Sequence, residues 1–194
     1  MAHETGPGAG DETVFTIGHG TRSVAELIEI LRESGVEILA DVRRFPGSRR
    51  NPQFGREALA ASLADSGIEY RWEGESLGGR RSSDPSPSRH TALRNAAFRS
   101  YADYMDTDEF HHALANLEEL ARVRTVAIMC AETVWWRCHR RHIADALVLH
   151  GLRVVHLMGP GQSQPYRTHP AMRSDERSRP VYDVGETQTL LDEE

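Results

Sequence analysis

The sequence predicts an α/β fold in three layers: a mostly parallel sheet with helices on both faces, plus an extended C-terminal tail. Two observations predict it. Short apolar runs alternate with segments of helical period, in the order strand–helix–strand–helix–strand–helices–strand–helix–strand. Several of the strand segments, Val36–Val42 and Thr125–Cys130 among them, are nearly continuous apolar runs, the pattern of strands buried on both faces. The 194 residues fit one domain. We bound it at 14–159, after a polar, flexible N-terminus (1–13) and before the C-terminal tail (160–194), which packs on the domain or extends from it.

The elements follow in order. Val14–Ile17 is a β-branched and aromatic run that ends in Gly18-His19-Gly20. Ser23 and Glu26 form a capping box for a helix over 24–34, whose apolar face carries Val24, Leu27, Ile28 and Leu31; Gly35 stops it. Val36–Val42 is the second strand, and 45–54, with its two prolines, is a loop. Helix 57–66 closes at Gly67, and 68–72 alternates as a strand. The Gly-, Ser-, Pro- and Arg-rich stretch 74–94 reads as a long mobile loop. Helices are predicted over 96–105, 109–122 and 138–150, and strands over 125–130 and 152–158. In the tail only 180–184 reads as a short strand.

Composition excludes several classes. A chain this long buries on the order of 70% of its unfolded surface, so it needs neither disulfide nor structural metal to fold. No apolar run approaches the roughly 20 residues of a membrane span, and residues 1–13 lack a signal-peptide pattern, so the expected setting is the cytoplasm. The net charge of −6 argues against broad duplex binding. All 23 basic residues are arginine, so every fixed positive charge is a planar fork suited to carboxylate or phosphate.

In an open parallel sheet, ligands bind beyond the carboxyl ends of the strands. Five predicted strand ends carry polar or reactive groups: Gly18-His19-Gly20, Asp41 with Arg43 and Arg44, Ser76 to Arg80 with Gly78 and Gly79, Cys130 with Glu132, and His156. Gly18 and Gly20 let backbone N–H groups approach an anion, although the run is neither a P-loop nor a Gly-x-Gly-x-x-Gly fingerprint. Asp41 suits a general base or a partner for arginine, and Ser48 extends the anion surface. Trp135-Trp136 offers one packed ring and one at the surface.

The sharpest set is Cys130-Ala131-Glu132 with Cys138-His139-Arg140, where Cys138 opens a helix. Four readings compete. A phosphatase nucleophile needs Arg six positions after Cys, whereas Arg137 lies seven on. Zinc on Cys130, Cys138 and His139, with His19 as a fourth ligand, suits the donor types, but seven residues between the cysteines match no common spacing. A redox dithiol lacks Cys-x-x-Cys. The adopted reading makes Glu132, His139 and Arg140 site residues and the cysteines small half-buried groups lining it, with no metal ligand assigned.

The ordered motifs Thr16-Ile17-Gly18-His19, Asp41-Val42-Arg43, Pro46-x-Ser48, Leu77-Gly78-Gly79, Tyr101-Ala102-x-Tyr104-Met105, Cys130-Ala131-Glu132 and Cys138-His139-Arg140 resemble the bacterial and archaeal family called domain of unknown function 488. His169-Pro170 and Tyr182 resemble its closing segment, so the likeness runs from about Val14 to Leu191. That family commonly has a proline between the two cysteines, where this chain reads Thr133-Val134-Trp135-Trp136-Arg137. The resemblance implies a compact α/β fold and a polar site at these motifs, without a reaction.

The expected function is an enzyme, a hydrolase or transferase, acting on a phosphate-bearing or nucleotide-like ligand. Asp41, Glu132, His19 and His139 are the candidate catalytic residues; Gly18, Gly20, Arg43, Ser48, Gly78, Gly79, Cys130, Cys138 and Arg140 are the candidate ligand-binding residues. No cofactor is assigned. The expected partner is a small anionic or nucleotide-like molecule. The alternatives are a nucleic-acid-processing or ligand-binding module without turnover, and a metal or thiol redox protein using Cys130 and Cys138.

Overall fold

Residues 12–47, 50–83 and 86–183 are described by the computed structural model. A six-stranded sheet forms the centre: β1 (Thr13–Gly18), β2 (Ile38–Asp41), β3 (Glu69–Trp72), β4 (Val126–Cys130), β5 (Arg153–Gly159) and β6 (Gln162–Pro165). Their spatial order is β3-β2-β4-β1-β5-β6. The first five pair in parallel, and β6 adds an antiparallel edge to β5 across a bulge between Leu157 and Gly159. A separate hairpin joins β7 (Met172–Ser174) to β8 (Pro180–Tyr182). The predicted three-layer α/β class is what the chain adopts.

Helices α1 (Val24–Glu33) and α2 (Arg56–Ala64) cover one face, packing Leu27, Ile30, Leu31, Leu59 and Leu63 on Ile17, Leu39, Ala127 and Met129. On the other face α3 (Ala96–Met105), α4 (Asp108–Val123) and α5 (Arg140–Leu149) pack Tyr101, Phe110, Leu114, Ile143 and Leu147 on Val14, Ala40, Val126 and Ile128. The alternation of Val126 and Ile128 with Ala127 and Met129 between the two clusters shows why β4 reads as a continuous apolar run. Side chains start the helices as their sequences require. Ser23 Oγ accepts from the Glu26 N–H, Asn95 from Ala97 and Phe98, and Thr107 from Phe110.

This connectivity fixes where a crevice opens. The chain leaves β1 and β2 toward the α1 and α2 face, and leaves β4 toward the α5 face. Since β4 lies between β2 and β1, its exit loop, which stays hydrogen-bonded to the β1 exit through the Gly20 N–H and the Ala131 carbonyl, opens a crevice on the β2 side of the carboxyl rim.

The C-terminal segment holds more structure than the one short strand read from the sequence. After β5 it supplies β6, then the β7–β8 hairpin, whose Val181 and Tyr182 are buried. The polar run Gln162–Pro165 pairs with β5 while its side chains stay exposed, so no hydrophobic pattern announced it. The predicted strand 180–184 is found as Pro180–Tyr182; its last residue lies outside the described residues. The described parts of the loop, 74–83 and 86–94, are anchored rather than loose, with Leu77 and His90 fully buried. Among the described residues, no helix is long and apolar enough to cross a membrane.

One ion pair joins α4 to the end of α5, beside the C-terminal segment, and carries a pH signature. His150 Nδ1 lies 2.6 Å from Glu118 Oε1, and its Nε2–H donates to the Ser178 carbonyl at 3.1 Å. The hydrogen bond to Glu118, opposed by partial burial, raises the His150 pKa above its ordinary 6.5. A raised folded-state value contributes stability that is fully present below about pH 6.5 and is lost as pH rises through the folded value. The pair is partly exposed and solvent-screened, so the expected contribution is about 0.5 kcal/mol or less. Urea titrations of the wild type and His150→Gln across that window should converge as the pH rises.

Candidate functional site

The crevice beside β4 is a cavity of about 440 Å³. Its lining includes His19, Arg43, Arg44, Arg80, Cys130, Glu132, Arg137, Cys138 and His139, with Gly79, Phe98 and Tyr101 in the wall. Four arginines thus meet one carboxylate in a chain whose net charge is negative. Arg80 and Arg137 are exposed, whereas Arg43 is buried. Arg80 also holds φ at +59°, a left-handed conformation uncommon for a residue with a Cβ.

Arg43 owes its place to Asp41. The Asp41 carboxylate is wholly buried and accepts four hydrogen bonds. Arg43 N–H (3.0 Å) and Nε–H (2.8 Å) reach Oδ1, while Arg43 Nη2–H (2.5 Å) and the Tyr70 hydroxyl (2.7 Å) reach Oδ2. That saturates its lone pairs, so Asp41 orients Arg43 and has none left to take a proton from a ligand. Arg43 Nη2 also donates to the Phe54 carbonyl at 2.9 Å, and the Trp72 indole N–H donates to the Arg43 carbonyl at 2.9 Å.

His19 completes this group. Its Nδ1–H donates to the Gly20 carbonyl at 3.0 Å, and its Nε2 accepts from Arg43 Nη1 at 3.2 Å. The ring stacks on Phe54 at 4.2 Å. Burial, then the Arg43 charge, lowers its pKa and keeps the imidazole neutral. Tyr70 is pushed well up by burial and by Asp41 beside it.

The second group lies across the cavity. Cys130 ends β4, and Cys138 and His139 lead into α5, which begins at Arg140, two residues later than Cys138. His139 Nε2 lies 3.0 Å from the Val42 carbonyl, which can only accept, so this nitrogen carries the proton. The other nitrogen, Nδ1, lies 3.8 Å from Cys130 Sγ and 3.7 Å from Cys138 Sγ. Tyr101 packs edge-on against the ring at 5.0 Å, its hydroxyl donating to the Leu77 carbonyl at 2.8 Å. Gly79 makes room, since a Cβ there would stand 2.8 Å from His139 Nδ1. The neighbouring Cys138 thiol and the Arg140 charge outweigh burial and hold Cys130 below the ordinary thiol range. Burial and that neighbouring thiolate push Cys138 up.

The other predicted site residues hold the walls in place. Arg140 is nearly inaccessible and donates to the Glu132 and Thr133 carbonyls, fixing the loop after β4. Gly18 abuts the same loop: a Cβ would sit 1.9 Å from the Glu132 carbonyl oxygen. Gly20 faces Thr133 in the same way, and Gly78 abuts the Gly74 carbonyl. Glu132 is exposed at the cavity mouth. Ser48 lies outside the described residues. His156 sits within β5 rather than at its end, paired with Thr16 Oγ1 at 2.5 Å and covered by the Trp135 ring at 4.4 Å. Trp136 is the exposed partner. The site list taken from the sequence missed Arg44, Arg80, Arg137 and Tyr101, which sit in mixed polar or helical stretches that do not reveal which way a side chain points.

No curated protein and no solved structure shows significant similarity to this chain. A family model does match, that of the domain of unknown function DUF488, over residues 23–147. The match takes in Asp41, Arg43, Gly79, Cys130, Cys138 and His139, and stops short of the β5–β8 segment. Since it covers well over half of the 194 residues, the chain belongs to the DUF488 family.

Proposed function

We propose that this protein is an enzyme, a hydrolase or transferase, acting on a phosphate-bearing or nucleotide-like small molecule in the cavity beside β4. The single observation that carries the reading is the arginine lining, with Arg43 held rigid by Asp41 and Arg44, Arg80 and Arg137 around it. A pre-positioned guanidinium binds a phosphoryl group without reorganisation, the condition for stabilising charge in a transition state. The cavity volume suits a small ligand rather than a duplex.

The roles follow from the hydrogen bonding. Arg43, Arg44, Arg80 and Arg137 hold the anion. Glu132 is the carboxylate available to activate water. Asp41, whose four bonds are taken up inside the protein, and Arg140, whose Nη1 and Nη2 hold the loop after β4, act as positioning residues.

Thermal unfolding in phosphate, pyrophosphate and nucleoside phosphates tests this. At ten times Kd, linkage adds about 1.4 kcal/mol, a rise of roughly 3–5 °C for a chain of this size. Phosphate also stabilises proteins by surface exclusion, so the control is the double variant Arg80→Ala/Arg137→Ala, whose exposed sites should leave the fold intact. The wild type should show a millimolar, saturable rise that the variant lacks. Identical curves for both proteins with every ligand would refute the reading.

A further inference from the structure

We propose that Cys130, Cys138 and His139 form a zinc site, with the fourth coordination position open to the cavity. This goes beyond the anion reading and does not require it. The three ligand atoms all lie within 4.8 Å of one another, and this is such a group among the described residues. Zinc bonds of about 2.3 Å to sulfur and about 2.0 Å to nitrogen, at tetrahedral angles, separate those atoms by roughly 3.5 Å. The Nδ1–Sγ distances are 3.8 and 3.7 Å. The nitrogen therefore stands within a few tenths of an ångström of ligand geometry toward each sulfur, and the two sulfurs, within 4.8 Å of each other, close to about 3.8 Å when both bind the ion.

The histidine is oriented as a metal ligand is. Its Nε2–H is bound to the Val42 carbonyl, which leaves the Nδ1 lone pair directed toward both sulfurs. Gly79 and Tyr101 pack against the ring. Zinc-finger spacing fails to describe this set because its ligands do not come from one knuckle. Cys130 comes from the end of a central strand, and Cys138 and His139 from the start of the following crossover, so the sheet sets their separation. Two thiolates and one imidazole are soft-to-borderline donors that favour Zn²⁺ over Mg²⁺ or Ca²⁺.

Closed structural zinc sites have four protein ligands, whereas catalytic ones keep a position for water or substrate. All three ligands here line the cavity. Glu132 lines the same space, while the His19 Nε2 that would serve as a fourth ligand already accepts from Arg43. The fourth position thus takes a water or an oxygen of the anion that the arginines hold.

Cobalt reports this geometry. Reduced wild-type protein, stripped with a chelator and with both thiols counted free, is titrated with Co²⁺. The expected result is a thiolate-to-cobalt charge-transfer band, with visible bands of tetrahedral intensity. Both should saturate at one equivalent and be abolished by Zn²⁺. Cys138→Ser and His139→Ala should weaken cobalt affinity by more than the ~10–100-fold of a lost supporting contact, with unchanged far-UV circular dichroism. Absence of the charge-transfer band in the wild type overturns the proposal, as does an unaltered band in both variants. Cobalt binding in a protein whose stability ignores phosphate leaves the metal site standing and removes the anion reading; the converse result does the reverse.

Discussion

Arg43→Ala is expected to destabilise the protein by about 3–5 kcal/mol, the range for removing one partner of a buried ion pair. The sequence reads Arg43 as a ligand-binding residue, a role whose loss would weaken binding rather than the fold. The difference lies in Asp41. Its carboxylate is fully inaccessible, and Arg43 supplies three of its four hydrogen bonds. One of these comes from the backbone and survives truncation. The guanidinium does not, and its loss leaves the Asp41 charge unpaired. The Phe54 carbonyl and His19 Nε2 lose a donor as well.

Guanidinium chloride denaturation of wild type, Arg43→Ala and the double variant Asp41→Asn/Arg43→Met separates the terms. The double variant removes the charge together with its partner and should recover much of the loss. A loss below about 1 kcal/mol for Arg43→Ala would mean the pair is hydrated in solution. For binding studies, Arg80 and Arg137 are therefore the better probes, because their side chains are exposed.

Asp145→Ala is expected to cost about 3–5 kcal/mol and to release the C-terminal segment. Asp145 belongs to α5, is fully buried, and accepts from the Tyr166 hydroxyl (2.8 Å), the His169 N–H (2.9 Å) and the Tyr182 hydroxyl (2.8 Å). Those three donors span the segment after β6, so one carboxylate clamps the whole excursion. Hydrogen bonds to a charged group contribute about 1.5–3 kcal/mol each, and the buried donors left behind add desolvation costs. Burial raises the Asp145 pKa against the pull of these donors.

Limited proteolysis reads the release directly. The variant should be cut between about residues 160 and 180 under native conditions that spare the wild type, with cleavage sites mapped by mass spectrometry. Equal cleavage in both proteins would show that the segment is held by other contacts, such as the His90 Nδ1 that accepts from the Tyr182 N–H at 3.3 Å.

The fold was legible where burial writes a pattern. Ser23 and Glu26 marked the start of α1, and Gly35 its end, with the left-handed φ of +65° that a glycine stop adopts. The apolar run Val126–Cys130 marked the central strand. Exposed Gln162–Pro165 left no such trace, because backbone pairing asks little of side chains.

The site was legible at the level of strand ends, since topology alone sends His19, Arg43 and Cys130 to one rim. Direction was not. Asp41 and Arg140 are polar residues at that rim that turn inward to hold Arg43 and the 132–133 backbone. Arg80 and Arg137, noted in the sequence but not assigned to the site, face the cavity. The donor set Cys130, Cys138 and His139 was weighed against motif spacing, which assumes one local loop, whereas the sheet brings its members together.

The central claim is that the carboxyl ends of β1, β2 and β4 build one ligand site. A crystal structure grown with tungstate, a heavy phosphate analogue located by its anomalous scattering, tests it most directly. The account predicts a tungstate in the cavity beside β4, bonded to Arg43 or its neighbours Arg80 and Arg137 and within reach of Cys130. Tungstate bound only at other surfaces, with this cavity holding solvent alone, would contradict it.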